Sequence, residues 1–310
     1  MALRISPWIR WWPLVPMKAC LGACLAIGLN MAFIPQVQAK ETLVWLLREL
    51  PPLTIFEGAQ RNQGAVDRTL ALLIQRLPQY DHVIQRVNRA RAMQMLHEPG
   101  LRCDPTLLWS PERATFIAFS IPSVVTYSNG LIIRSADRPQ FAPFMENGEV
   151  DLDALLQSGK LKVGRVAERS YGPFIDQILK HAPADMLSPH YGNDAVSSLM
   201  QMEQRGRLQA LIGYLIEARY VARQQGMGAD EFSFLAIKGV EKYQFNHVGC
   251  SDNADGQQAI SRINPVLETL RQDMLPLFYA SWLDHDSRDH YLEDAKSFFS
   301  DKATAAMPSR

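Results

Sequence analysis

The sequence predicts an α/β fold, and three observations predict it. Short apolar strands alternate with amphipathic helices along most of the chain. Of the 310 residues, the 271 that follow Ala39 suffice for one large or two modest domains. No internal repeat or low-complexity tract interrupts the alternation.

Taken in order, Thr42–Leu47 reads as a strand, and residues 64–77 as a helix with Val66, Leu70, Leu73 and Leu77 on one face and Pro78 as its stop. His82–Val87 is the next strand, and Asn88 caps a helix running through Leu96. Gly130–Arg134 is a strand followed by a polar, proline-containing stretch. A second set then begins. Residues 151–157 form a short helix closed by Gly159, Leu161–Val166 a strand, and residues 172–180 and 193–204 helices. Leu208–Ile212 and Phe232–Ile237 are strands around a helix over Tyr214–Gln224. Phe245–Cys250 is a further strand, and residues 255–270 are helical with Ile260, Ile263, Leu267 and Leu270 inward. Pro265 either kinks that last helix or opens a second one capped by Asn264.

The first 39 residues read as an export signal. Lys18 precedes an apolar stretch from Ala19 to Ile34, and Val37 and Ala39 are the small residues of a cleavage site. An uncleaved anchor is the alternative, although Asn30 interrupts a stretch shorter than the ~20 residues a spanning helix needs. Met17 is a second candidate start, and Leu21–Cys24 is a lipoprotein-like box placed early for that role. The tail, residues 301–310, is polar and expected to be disordered.

Past Ala39 the chain carries 29 basic and 32 acidic side chains, a net of −3. That balance argues against nucleic acid as a partner, since phosphate binding needs a basic surface. Cys103 and Cys250 remain after cleavage, an even pair in an oxidising compartment. A disulfide is the favoured fate, with free buried thiols as the alternative.

The most informative segment is Leu101–Ser120, where a strand end meets the turn Ser110-Pro111-Glu112-Arg113 and an aromatic run ending Phe119-Ser120-Ile121-Pro122. Here the chain resembles type 2 periplasmic solute-binding proteins, specifically the family-3 group that includes polar amino-acid receptors. Glu49-Leu50-Pro51-Pro52 is similar to their first ligand loop, with Pro52 in the contact position. The resemblance implies a two-lobed architecture of type II with two hinge crossings. Lobe 1 would comprise residues 41–133 and 246–300, and lobe 2 residues 136–243, with Gly130–Ser135 and Phe245–Cys250 as hinge strands.

It also implies a role for Arg113, whose planar fork suits a ligand carboxylate; a structural ion pair with Glu112, or a solvent-facing arginine, is the bland alternative. Thr106 matches the small hydroxyl position upstream, and Trp109 offers a stacking face or simply fills core. Ser170 and Tyr171 lie where the second lobe offers helix N-terminal amides to an anion, although Arg169 stands in place of the usual glycine. Tyr214 occupies the position where amino-acid receptors carry an aspartate for the ligand ammonium. Glu217, about one turn on, supplies that carboxylate if its face of the helix meets the cleft.

The expected function is periplasmic binding of a small carboxylate-bearing, amino-acid-like solute for ABC-type transport, by a monomer that needs no cofactor. An inner-membrane permease would be the partner. The alternatives are a ligand sensor for a membrane signalling receptor and, behind it, a cyclohexadienyl-dehydratase-like enzyme using Glu217 or Glu168 as acid beside Arg113. No catalytic residue is assigned and no metal site is expected. Asp284–His290 is the one His/Asp cluster, and it reads as a solvated loop or helix start.

Overall fold

The computed structural model describes residues 40–300. The expected signal segment 1–39 and the polar tail 301–310 lie outside the described residues. Two five-stranded mixed sheets organise the described chain.

In the first sheet the strands stand in the order Tyr80–Arg86, Glu41–Leu47, Arg102–Leu108, Tyr243–Ser251, Ile117–Tyr127. The first three are mutually parallel, and Tyr243–Ser251 runs antiparallel to both of its neighbours. The period-2 pleat explains why Glu41–Leu47 is apolar throughout its second half. Leu43, Trp45 and Leu47 face one core with the helices Ala65–Arg76 and Ala254–Leu270, while Leu46 faces another core with Ala92, Met95 and Leu96 of the helix Arg89–His97. Cys103 and Cys250 are register partners on adjacent strands, fully buried, and joined by a disulfide.

The second sheet runs Phe232–Leu235, Gly130–Arg134, Ala210–Gly213, Val163–Val166, Leu187–His190. The last three are parallel, and Gly130–Arg134 is antiparallel to both neighbours. The same alternation recurs here. Leu131 and Ile133 face the helices Leu152–Gln157 and Pro173–His181, and Ile132 faces the helices Ala195–Gln204 and Leu215–Gln224.

The chain leaves the first sheet at Tyr127 and enters the second at Gly130, then returns between Leu235 and Tyr243. Gly130 sits where there is no room for a side chain: a Cβ would stand 2.3 Å from the Phe234 ring and 2.6 Å from the Leu235 carbonyl. Among the described residues no helix is long and apolar enough to cross a membrane.

Some elements differ from expectation for identifiable reasons. The aromatic run after Arg113 is an eleven-residue strand, Ile117–Tyr127, whose length comes from pairing along the whole of Tyr243–Ser251. Pro265 lies inside one continuous helix, so Asn264 is no cap; its side-chain oxygen instead accepts from the Ile121 backbone N–H of the neighbouring strand. Residues 285–290 open the helix His285–Ser300, with Asp284 accepting from the Ser287 N–H.

Candidate functional site

Each lobe has three parallel strands, and the loops at their carboxyl ends converge, as open α/β sheets place their ligand sites. Arg48 follows the first strand of lobe 1, Arg89 the second, and Thr106 to Arg113 end and follow the third. From lobe 2, Arg169 follows Val163–Val166, Gly192 and Asn193 follow Leu187–His190, and Tyr214 and Glu217 follow Ala210–Gly213. Arg48, Arg89 and Arg169 line two small adjoining cavities of about 20 Å³ each; Glu217 lines one of them, and Thr106, Arg113 and Tyr214 the other.

Two of the four arginines are committed to carboxylates within their own lobe. Arg48 donates from Nε to Asp104 Oδ2 at 2.5 Å and from Nη2 to Asp104 Oδ1 at 3.0 Å, and also to the Thr106 carbonyl. Arg169 grips Glu217 with two parallel bonds, at 2.7 and 2.9 Å. Burial opposes the charge on Arg169, but Glu217 outweighs it and holds the guanidinium's pKa above its ordinary value.

The other two have no carboxylate among the described residues. Arg113, 9% exposed, donates to the Leu108 carbonyl at 3.2 Å and, across the lobes, to the Glu168 carbonyl at 3.5 Å. Glu168 presents that carbonyl from a left-handed backbone (φ 58°), a conformation costly for a non-glycine residue. Arg89 is part-buried just past the Asn88 cap, and among the described residues its side chain makes no hydrogen bond or ion pair. Burial first, then repulsion from Arg48, lowers the pKa of both Arg113 and Arg89, and Arg169 adds to the repulsion at Arg89. Two further donors are buried and unpartnered, Nη1 of Arg48 and Nε of Arg169.

The sequence-derived residues divide. Arg113, Thr106, Ser170, Tyr214 and Glu217 all line the cleft. Thr106 donates its hydroxyl to Asn246 Oδ1 at 3.3 Å, and Ser170 donates to Asp176 Oδ2 at 2.5 Å. Tyr214 accepts from the Gln244 amide at 2.5 Å. The bland reading of Arg113 as partner of Glu112 does not hold, since Glu112 is exposed and lies 3.7 Å from Lys180. Glu217 does reach the cleft, but both of its oxygens belong to Arg169, so it offers no free carboxylate to an ammonium.

Three residues fall elsewhere. Tyr171 is 1% exposed in the second core, and its hydroxyl accepts from the Val166 N–H at 2.7 Å, which fixes the loop carrying Arg169. Pro52 is buried at the start of the helix Ala65–Arg76, accepting from the Ala65 N–H at 3.2 Å. Trp109 is half-buried and does not line the cavities around the arginines. Sequence reasoning missed Arg48, Arg89 and Asp104. The sole signal was a basic residue within three positions of the carboxyl end of each of two successive strands, which does not distinguish a cleft from solvent.

Toward the mouth, Arg113, Arg169 and Ser170 border a cavity of about 430 Å³ between the lobes, which Arg165 and Lys180 also line. A more apolar cavity of about 380 Å³, between Asn129, Tyr214, Phe234 and Trp282, lies away from Arg113. Among the described residues no group of three or more His, Cys, Asp or Glu side chains is arranged to hold a metal ion.

No protein-family model matches the chain, and no curated protein matches it in sequence. Solved structures do match in fold. An ancestral arginine-binding protein bound to glutamine superposes with a TM-score of 0.58 at 14% identity, over 78% of this chain and 98% of that one. A histidine kinase sensor domain with similarity to periplasmic binding proteins gives 0.61 at 13% identity, over 79% and 96%. The Bordetella pertussis BvgS periplasmic VFT2 domain gives 0.57 at 18% identity, over 79% and 94%. These neighbours are binding proteins and sensor domains rather than enzymes. The chain therefore has the two-lobed α/β fold shared by periplasmic amino-acid-binding proteins and the flytrap domains of sensor kinases.

Proposed function

We propose that this protein captures a small carboxylate-bearing solute between its two lobes, outside the cytoplasm. The observation that carries the reading is Arg113: a buried guanidinium at the lobe interface, bonded to one carbonyl from each lobe and to no carboxylate. A buried cation without a counter-charge is costly, and an anion that supplies one is correspondingly well held. A ligand touching both lobes favours the closed arrangement because only that arrangement makes both sets of contacts. Neither carboxylate weighed as a general acid is placed to act as one, since Glu217 is held by Arg169 and the Glu168 side chain is exposed.

The export-like leader supports a periplasmic site of action and, with it, delivery to an inner-membrane permease. The fold likeness to sensor-kinase domains supports a second reading, in which ligand closure is relayed to a membrane signalling partner. Genes for a permease and ATPase beside this one favour delivery, whereas a receptor kinase or cyclase gene favours sensing. The capture reading is tested with Arg113→Ala. A thermal-shift screen of amino acids, organic acids and short peptides finds a ligand by mass action. Calorimetry then compares the two proteins with it. The expected result is loss of most affinity with circular dichroism and melting unchanged; equal affinity rules the reading out.

A further inference from the structure

Resting on that capture reading, we infer that the solute is a small dicarboxylate without an ammonium group, one carboxylate taken by Arg113 and the other by Arg89. The argument is a balance of charges at the cleft. Four guanidiniums converge there, and a guanidinium stays ionised under all ordinary conditions. Asp104 neutralises Arg48 and Glu217 neutralises Arg169, each through two hydrogen bonds. Arg113 and Arg89 are left without a carboxylate among the described residues, one from the loop after the third strand and one from the loop after the second. Asp176 and Asp104 offset part of the charge on Arg113, and Asp104 part of that on Arg89, but neither guanidinium is bonded to a carboxylate; an α-amino acid's zwitterionic head would bring one carboxylate to them and add a positive charge.

The nearby carboxylates that remain already accept hydrogen bonds, and Asp176 also attracts Arg113. Asp176 accepts from the Ser170 hydroxyl and from the Tyr171 N–H at 2.8 Å. Glu49, which lines the same small cavity as Glu217, takes the Phe56 N–H, and burial pushes its carboxyl up to about 7. Tyr214, already bonded to Gln244, brings a phenol rather than a carboxylate to the cleft. Further donors are present: Nη1 of Arg48 and Nε of Arg169 are buried, unpartnered, and on residues that line the same space. Arginine donors thus outnumber the carboxylates at the cleft, and each buried carboxylate there already accepts hydrogen bonds, which leaves little to hold a cationic group. Glu112 and Glu168 line the mouth, but both side chains are exposed. Solvent there weakens their pull on a buried ammonium.

The inference is tested by calorimetric titration of the purified protein with paired probes. Linear dicarboxylates of three to six carbons are compared with aspartate and glutamate, which differ from two of them only by an ammonium. Butyrate and inorganic phosphate complete the panel. A dicarboxylate is expected to bind, its amino counterpart about tenfold or more weakly. Arg89→Met is expected to cost the dicarboxylate about tenfold or more while changing butyrate binding little. An amino acid binding more tightly than its dicarboxylate overturns this inference and leaves the capture reading standing. Phosphate preferred over every carboxylate, or no carboxylate bound at all, overturns both. An unaltered melting temperature for Arg89→Met guards against a folding defect, and an Arg89→Lys variant that recovers part of the affinity separates charge from packing.

Discussion

Replacing Glu217 by Gln would remove one charge from the buried pair that holds the Arg169 loop in place. Both side chains are about 5% exposed and bonded twice, at 2.7 and 2.9 Å. Glutamine keeps the shape and one acceptor but leaves the Arg169 charge uncompensated, close to Arg89. Breaking a buried pair from one side costs about 3–5 kcal/mol, because the surviving ion is desolvated without its partner. The loop around Arg169 and the helix Leu215–Gln224 would bear that cost. Urea denaturation followed by far-UV circular dichroism measures it as a lower midpoint at unchanged slope. Replacing both residues by apolar side chains, Arg169→Met with Glu217→Leu, should cost less than Glu217→Gln alone, since no buried charge is then stranded. A single-variant loss below about 1 kcal/mol would refute the reasoning, as would a double variant no more stable than the single. Salt should change neither result much, because the pair is shielded from mobile ions.

Other expectations concern stability and pH. In a Cys20→Ser/Cys24→Ser background, the unreduced, denatured protein should show no reactive thiol, and two reactive thiols would exclude the Cys103–Cys250 bond. Removing that bond frees a loop of sequence separation 147, for which chain entropy sets a ceiling of about 5 kcal/mol, read as a lower melting temperature of Cys103→Ala/Cys250→Ala. Glu203 is fully buried, and burial outweighs the nearby Arg134 to push its carboxyl from 4.5 up to about 8. The folded state therefore holds this proton more tightly than the unfolded chain, so stability falls as pH climbs from about 4.5 through about 8. Glu203→Gln should flatten that decline, by up to about 5 kcal/mol at the alkaline end. A melting temperature with the same pH slope in both proteins would contradict it.

Much of the fold was legible in the sequence, because strand and helix periods are local properties. Gly130–Arg134 matches its strand, and Asn88 caps its helix as expected, with a side-chain bond to the Arg91 N–H. The long strand Ile117–Tyr127 was not legible, since its proline and aromatics make no clean alternation and its partner lies over a hundred residues away. Of the cleft, Arg113 was readable through its Ser-Pro-Glu-Arg turn. Arg48 and Arg89 were not, because an arginine just past a strand looks the same in sequence whether it faces solvent or a cleft.

What the sequence alone determined is the alternation that builds two layered α/β sheets and a pair of cysteines able to join. Both follow from side-chain period and composition, which need no knowledge of distant neighbours. Only the tertiary structure decided the pairing of charges. It gave Asp104 to Arg48 and Glu217 to Arg169, and left Arg113 and Arg89 without carboxylates among the described residues. Those partners come from separate elements, 48 to 56 residues apart within each pair, and only the closing of each sheet sets which charge meets which.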